Sequence, residues 1–303
     1  MLRICGLWPS PRRVHATHRK HRTKARNSYF PPIMQTARLA TTTAGRTLAR
    51  GMATRTPIVG GNWKMNAGDG TTVADVHALT EGLNAGGNHA CEIYIAPPAL
   101  YLDMVSQKAE SFFNVCAQNC YSETKGAYTG EWSPEMLKDL GVNWTLIGHS
   151  ERRDVFGETD ELLGAKIAHC QAVGIHVAAC CGEHLEDRES GKTMEVLIPQ
   201  LQAIADNVTD WSKVIVAYEP VWAIGTGVVA TPQQAQDTNA EIRQWFAANV
   251  STEVADGLRI QYGGSVNADN SAELAGCEDI DGFLVGGASL KPDGFHTILA
   301  AFD

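Results

Sequence analysis

From residue 58 onward, the chain alternates between short apolar runs and longer amphipathic stretches. Eight runs, each four to six residues long and rich in β-branched or other apolar side chains, predict β-strands. They are residues 58–63, 92–96, 113–117, 144–148, 175–179, 214–218, 258–262 and 282–285. The stretches between them carry helix-start signals, such as Ser133-Pro134 before a helix to Leu140 and Thr231-Pro232 before a helix to Ala248.

Eight strand and helix units in about 250 residues predict a closed parallel barrel. No Gly- or Ser-rich linker divides this region, so it reads as one domain. The predicted fold class is therefore α/β, a single-domain (β/α)8 barrel over residues 56–303. A basic, disordered leader over residues 1–55 is expected to precede it.

Charge separates the leader from the barrel. Residues 1–55 contain 12 of the 25 basic residues and no acidic one, whereas the rest has 13 basic against 34 acidic residues, a formal charge of −21. An acidic body disfavours nonspecific nucleic-acid binding. The leader is rich in Arg, Thr, Ser and Ala and lacks an apolar run long enough for a secretory signal or a membrane span, which fits an organelle transit peptide. The alternative is an unstructured terminus with translation starting at Met34 or Met52.

Cysteine usage indicates a reduced protein. Seven of the eight cysteines lie in the barrel region, inside apolar runs and without disulfide-like spacing, so they read as buried thiols. Cys180, Cys181 and His184 could begin a metal site. No second ligand pair has metal-type spacing, so no metal is expected.

Polar residues follow the first and fourth strands at the end where barrels carry their chemistry. Asn62 and Lys64 are two residues apart, so both side chains should face the barrel mouth, where the Lys64 ammonium can meet an anion. A lysine after a strand is more often a solvated surface residue. His149 precedes residues 150–153, which read as a short helix. That helix N-terminus should depress the pKa of His149 and keep its imidazole neutral, although a single loop histidine is more often structural.

Glu219 ends the sixth strand among apolar neighbours, and partial desolvation should raise its basicity. Read alone, it could equally pair with a surface arginine. One carboxylate, one neutral imidazole and one ammonium suffice to remove a proton next to a carbonyl and return it to the neighbouring carbon. No dinucleotide or P-loop motif and no metal-ligand cluster stands beside them.

Glycines at three strand ends predict a phosphate site. Residues 223–227 after the sixth strand include two glycines and could form a closing lid that supplies backbone N–H groups. Residues 263–265 and 286–287 follow the seventh and eighth strands, where a backbone without side chains lets N–H groups approach a phosphate. Each glycine pair is a weak signal alone, but two in one barrel are specific.

These motifs closely resemble the triosephosphate isomerase family, from about residue 58 to the C-terminus. The matching segments are 61–66 (GNWKMN), 117–119 (AQN), 126–131 (GAYTGE), 148–153 (GHSERR), 217–227 (AYEPVWAIGTG), 262–266 (YGGSV) and 284–290 (LVGGASL). The resemblance implies an aldose-ketose isomerase, without cofactor or metal, that interconverts dihydroxyacetone phosphate and D-glyceraldehyde 3-phosphate in glycolysis, gluconeogenesis or carbon fixation. The proton moves through an enediolate, and the fold is the TIM barrel.

The resemblance also implies a role for each site residue. Glu219 is the base, His149 polarises the substrate carbonyl, and Lys64 and Asn62 stabilise the enediolate. The phosphate is held by Gly225, Ser265, Gly286 and Gly287. Glu151 and Ser150 support the catalytic side chains without contacting the substrate.

The family is homodimeric, which implies that the Thr129 loop reaches a partner's site near Asn62 and Met65. Two positions depart from the family pattern. Val228 stands where lysine is common at the end of the lid, which leaves the lid kinetics open. Cys181 replaces an aliphatic residue and adds an oxidisable thiol.

Two alternative functions would leave different motifs in the sequence. Another sugar-phosphate barrel, such as an indole-glycerol-phosphate synthase type, should lack the combined Glu219 and His149 motifs. A silent binding protein should have a damaged site, yet Asn62, Lys64, His149 and Glu219 are all present. A transit peptide implies a plastid or mitochondrion, and a start near Met52 implies the cytoplasm. The expected partners are the two triose phosphates and a second subunit, with no nucleic acid and no membrane.

Overall fold

The computed structural model describes residues 55–303. Residues 1–54 lie outside the described residues, and so the predicted leader does as well, except for Arg55. The side chain of Arg55 hydrogen-bonds Asp281 and the carbonyl oxygens of Asp256 and Glu278. Arg55 therefore packs with the barrel, although the predicted boundary placed it in the leader.

Eight strands and eleven α-helices alternate along the described part of the chain. The strands are β1 Ile58–Asn62, β2 Glu92–Ala96, β3 Phe113–Ala117, β4 Trp144–Ile147, β5 His176–Cys181, β6 Val214–Tyr218, β7 Ile260–Tyr262 and β8 Gly282–Val285. The helices are α1 Val73–Ala85, α2 Leu102–Lys108, α3 Pro134–Asp139, α4 Ser150–Asp154, α5 Asp160–Val173, α6 Leu185–Glu189, α7 Thr193–Ala205, α8 Pro232–Asn249, α9 Thr252–Gly257, α10 Ser271–Ala275 and α11 Pro292–Leu299. Short 3₁₀ helices occur at Ala99–Tyr101, Trp211–Lys213, Val221–Ala223, Gly287–Leu290 and Ala300–Phe302.

The strands form a closed parallel barrel in sequence order, and β1 completes it by pairing with β8. The predicted (β/α)8 fold is confirmed. Because all strands run in parallel, their carboxyl ends meet at one mouth, and the loops that follow them share that end. This arrangement brings residues from distant parts of the sequence to a single site.

Helix starts follow the predicted capping signals. The Ser133 hydroxyl accepts the N–H of Met136 at the start of α3, and the Thr231 side chain accepts the N–H of Gln234 at the start of α8. The seventh strand begins at Ile260, two residues later than predicted. The reason is that Leu258 still donates its N–H to the Val254 carbonyl at the end of α9.

The barrel interior is filled by side chains. Tyr94 crosses it and donates its hydroxyl to Gln261 Oε1 at 2.8 Å, while Gln261 Nε2 donates to the carbonyl oxygens of Ile58 and Phe283. A Cβ at Gly60 would stand 2.0 Å from the Tyr94 ring, so only glycine fits there. The packed interior closes the barrel beneath the mouth, so a ligand can enter only from above.

Among the helices of residues 55–303, none is long and apolar enough to cross a membrane.

Candidate active site

A cavity of about 430 Å³ opens at the carboxyl ends of the strands. Its walls come from the first, fourth, sixth, seventh and eighth strands and the loops after them. The lining residues are Asn62, Lys64, Asn66, His149, Glu219, Ile224, Gly225, Gly263, Gly264, Ser265, Val266, Asn267, Leu284, Gly286, Gly287 and Ala288. The cavity therefore brings together every residue that sequence analysis proposed for catalysis or phosphate binding.

Glu219 and His149 form a buried pair on the cavity wall. Glu219 is 2% exposed and His149 6% exposed. Glu219 Oε1 lies 2.9 Å from His149 Nε2, and Glu219 Oε2 accepts the backbone N–H of Ser150 at 2.9 Å. Both carboxylate oxygens thus contact donors within the protein.

The helix α4 N-terminus determines which nitrogen of His149 carries a proton. His149 Nδ1 accepts the backbone N–H of Glu151 at 3.2 Å, as the cap of that helix. A nitrogen that accepts a hydrogen bond cannot itself carry a proton, so the hydrogen of the neutral ring lies on Nε2, which faces Glu219 Oε1 at the cavity wall. This geometry suits the neutral donor that the sequence predicted.

The pKa of His149 moves in the opposite direction to the prediction. Burial lowers it, but the charge and hydrogen bond of Glu219 outweigh burial, and the pKa is raised above its ordinary value. The predicted depression considered only the helix, because the sequence did not show that Glu219 rests against the ring. Because this raising effect depends on the contact with Glu219, it would weaken if the carboxylate moved away from the ring, whereas burial and the helix N–H would remain.

Lys64 has a left-handed backbone with φ of 53°, which no other non-glycine residue in the described range adopts. Asn62 Oδ1 accepts the Lys64 N–H at 2.9 Å, and Gln118 Nε2 donates to the Lys64 carbonyl at 2.8 Å. These bonds hold a conformation that is costly for a residue with a side chain. The Lys64 ammonium pairs with Glu151 Oε1 at 2.7 Å, a contact consistent with the supporting role that the resemblance implied for Glu151.

Glycines form part of the cavity wall. A Cβ at Gly286 would lie 3.7 Å from Lys64 Cε, so this backbone and the lysine border the same space. Gly287 begins a 3₁₀ helix at Gly287–Leu290, and its N-terminus faces the mouth. Backbone N–H groups beside an ammonium favour an anion.

The segment after Glu219 covers the cavity edge through Ile224 and Gly225. Gly225 and Gly227 have φ values of 67° and 82°, which favour glycine. The Ser265 hydroxyl donates to the Ala223 carbonyl at 2.7 Å and so holds the start of this segment. Val228, where the family commonly has lysine, is half exposed.

Sequence analysis gave no role to several residues of this site. Gln118 follows the third strand as His149 follows the fourth, and that position at a strand end was the available signal. Asn66 and Asn267 lie in loops whose path the sequence did not determine.

Cys181 is buried, and burial raises its pKa to about 12, which disfavours the oxidisable thiolate.

The thiols of the barrel are free, as predicted, and six of the seven are buried. Within residues 55–303, no group of three or more His, Cys, Asp or Glu side chains could hold a metal ion.

A closed (β/α)8 barrel with a buried glutamate–histidine pair and a glycine-lined cavity at its mouth has the architecture of the barrel enzymes. The sequence model of the triosephosphate isomerase family matches residues 57–302. The chain therefore belongs to the triosephosphate isomerase family, a family of isomerases whose substrates are triose phosphates.

Proposed function

We propose that this chain interconverts dihydroxyacetone phosphate and D-glyceraldehyde 3-phosphate by moving one proton through an enediolate. The observation that carries the proposal is the joint placement of Glu219, His149 and Lys64 around one cavity with a glycine-lined anion wall. Family membership implies that this reaction serves glycolysis. We propose that it also serves gluconeogenesis or carbon fixation.

Glu219 acts as the base in this proposal. Its carboxylate leaves Ser150 and His149, takes a proton from the carbon next to the carbonyl, and later returns it to the neighbouring carbon. The electron pair of the broken C–H bond forms the enediolate, whose oxygens need positive donors. The ammonium of Lys64 and the amide of Asn62 supply them, and the preorganised arrangement around Lys64 keeps these donors in place.

His149 supplies a hydrogen bond from Nε2–H to the substrate oxygen. Its Nδ1 is occupied by the Glu151 N–H, which opposes a second proton on the ring. A neutral donor is well matched to an enediolate, because its N–H is then close in proton affinity to the oxygen that it contacts. A glutamate base with a neutral histidine is the established pairing of the triosephosphate isomerase family, and these two roles come to Glu219 and His149 through family membership.

We assign phosphate binding to Gly225, Ser265, Gly286 and Gly287, and propose that residues 220–230 close over the bound group. Closure excludes water, which strengthens the stabilisation of the enediolate and retains the intermediate. An enediolate next to a phosphate ester can otherwise expel phosphate. The lid thus protects the product as well as speeding its formation.

The replacement Glu219→Asp tests the base. It withdraws the carboxylate by about 1 Å, so kcat should fall by roughly 10²- to 10⁴-fold while KM changes little. Conversion in deuterated water should place solvent deuterium on the product carbon, as proton transfer through an exchangeable carboxyl requires. A variant with near-native kcat would remove Glu219 from this role, and a product without deuterium would argue against the enediolate route.

Deletion within residues 224–227 tests the lid. The barrel should stay folded because exposed loops tolerate deletion, but kcat should fall strongly and substrate should be diverted to methylglyoxal and inorganic phosphate. Isomer and free phosphate are followed together in a coupled assay. Val228→Lys is the matched control, since it changes only the lid residue that departs from the family and should alter kcat modestly. No extra phosphate from the shortened enzyme would refute the protective role.

We further propose a homodimer. Met65 is 93% exposed and Phe156 63% exposed, and both line a second cavity of about 320 Å³ that shares Lys64 and His149 with the site. Apolar side chains of this size at an open surface favour a protein partner. Gly130 and Glu131, which follow Thr129 in its loop, line the same cavity. We propose that this loop inserts into the partner subunit.

Charged replacements test the assembly. Met65→Asp or Thr129→Asp should give weakly active monomers. An isologous interface contains the same residue from both subunits, so each replacement buries two unpaired charges in one interface. Val73→Asp, at an exposed apolar residue of α1, is the control. Sedimentation showing intact dimers for both test variants would contradict the proposal.

We retain the transit-peptide proposal for the part of the leader that precedes Arg55, supported by its charge and composition. A fluorescent fusion of residues 1–60 should enter a plastid or mitochondrion. Diffuse cytoplasmic fluorescence would favour a start near Met52 instead.

A further inference from the structure

The turn that leads into His149 contains Gly148, whose carbonyl has no partner in the sheet. Gly148 follows the last residue of β4 with φ of 78°. The last paired residues of the β4 and β5 ladder are Ile147 and Ala179, so the carbonyl of Gly148 lies just beyond it. Gly148 is buried. A buried carbonyl outside the ladder needs another donor.

Arg153 supplies that donor. Its Nε donates to the Gly148 carbonyl at 2.8 Å, and its Nη2 donates to the Cys180 carbonyl of β5 at 3.1 Å. Its Nη1 pairs with Asp160 at the start of α5 at 2.6 Å. One planar guanidinium thus ties the ends of two strands to the helix that follows.

Helix α4 is only five residues long and presents two N–H groups to the site. The Ser150 N–H holds Glu219 Oε2, and the Glu151 N–H holds His149 Nδ1. A helix this short has little intrinsic stability, so tertiary contacts must hold its direction. Arg153 lies in its last turn and makes those contacts without touching the cavity.

We propose that Arg153 is a positioning residue of the isomerase site. Its guanidinium fixes the Gly148 turn and helix α4, and through them the ring orientation and tautomer of His149 and the resting place of Glu219. This inference rests on the proposed function for its catalytic consequence. Its structural consequence, the protonation pattern of His149, is measurable without turnover.

The main test variant is Arg153→Lys, and Arg153→Met is a second. A lysine keeps the charge beside Asp160 but cannot span all three acceptors, so helix α4 should loosen while the barrel stays folded. Because a misplacement of about 1 Å can cost on the order of 10²-fold, kcat should fall by roughly 10- to 100-fold and KM far less. The ¹⁵N signals of the His149 ring, assigned by comparison with His149→Gln, should shift toward mixed tautomers.

Arg243→Lys is the matched control. Arg243 also donates to backbone carbonyls, those of Ala255, Leu258 and Asp279, and its guanidinium pairs with the carboxylates of Asp279 and Asp281, but it lies at the opposite end of the barrel. It should lower the melting temperature at least as much as Arg153→Lys, yet leave kcat and the His149 signals unchanged.

Three outcomes would overturn the proposal. Arg153→Lys could fold with parental kcat and parental ¹⁵N signals, Arg243→Lys could reduce kcat equally, or both Arg153 variants could lose the folded barrel. A parent enzyme without isomerase activity would instead refute the proposed function, while the nitrogen signals would still decide the role of Arg153.

Discussion

The replacement Gly182→Ala should displace the proposed base, Glu219, without changing the identity of any residue that lines the cavity. Gly182 follows β5, and a Cβ there would stand 1.9 Å from the Glu219 carbonyl oxygen. Ordinary contact begins near 3.4 Å, so the two backbones must separate by about 1.5 Å. Gln200 opposes that movement, because its amide holds both the N–H and the carbonyl of Gly182.

The displacement has a cost in activity and in stability. A shift of about 1 Å at a positioned group can lower the rate on the order of 10²-fold, so we expect kcat to fall by at least that factor. Overpacking of this kind typically destabilises by about 1–3 kcal/mol. Both effects should appear together, because the same contact causes them.

A graded series gives the assay its controls. At Gly263, a Cβ would meet Glu219 Cγ at 3.0 Å, so Gly263→Ala should have an intermediate effect. At Gly257, no atom lies within 4 Å, so Gly257→Ala should keep the parental kcat. Steady-state rates and thermal melts of the three variants test whether the loss of kcat and of stability follows the closeness of each added Cβ to its neighbours. A parental kcat for Gly182→Ala, or an equal loss in all three, would refute the reasoning.

Three further predictions concern stability and the thiols. Burial lowers the pKa of His296 below 6.5, so the unfolded chain binds the extra proton first, and the free energy of unfolding should fall as pH drops below about 6.5; denaturant titrations at several pH values, with His296→Gln as control, check this. Cys181 should resist thiol reagents at pH 8 because burial raises its pKa to about 12, whereas the half-buried Cys277 should react first among the cysteines of residues 55–303, as mass spectrometry of labelled peptides can show. Arg55→Ala should destabilise the barrel by about 1–3 kcal/mol through its lost hydrogen bonds to the Asp281 carboxylate and to the carbonyls of Asp256 and Glu278, with kcat unchanged; an unaltered melting temperature would contradict this.

The sequence carried enough information to predict the barrel. Strand and helix periods are local properties, and eight alternations leave few ways to bury the apolar faces. Because parallel strands all end at one mouth, the residues after those strands could also be assigned to one site, and Lys64, His149 and Glu219 do line one cavity. The pattern did not determine every strand boundary, because Leu258 belongs to the end of α9 and β7 begins only at Ile260.

Other features depended on distances between separate elements, which periodicity does not encode. The pKa of His149 is raised because Glu219, from a strand far along the chain, rests 2.9 Å from its ring. The left-handed backbone of Lys64 is held by Gln118, and the Gly148 turn is held by Arg153. Sequence by itself therefore determined the fold and the meeting of Lys64, His149 and Glu219 at one cavity, since these follow from local pattern and strand direction. Only the tertiary structure decided the electrostatics and the supports of the site, because those follow from side-chain contacts over a few ångströms.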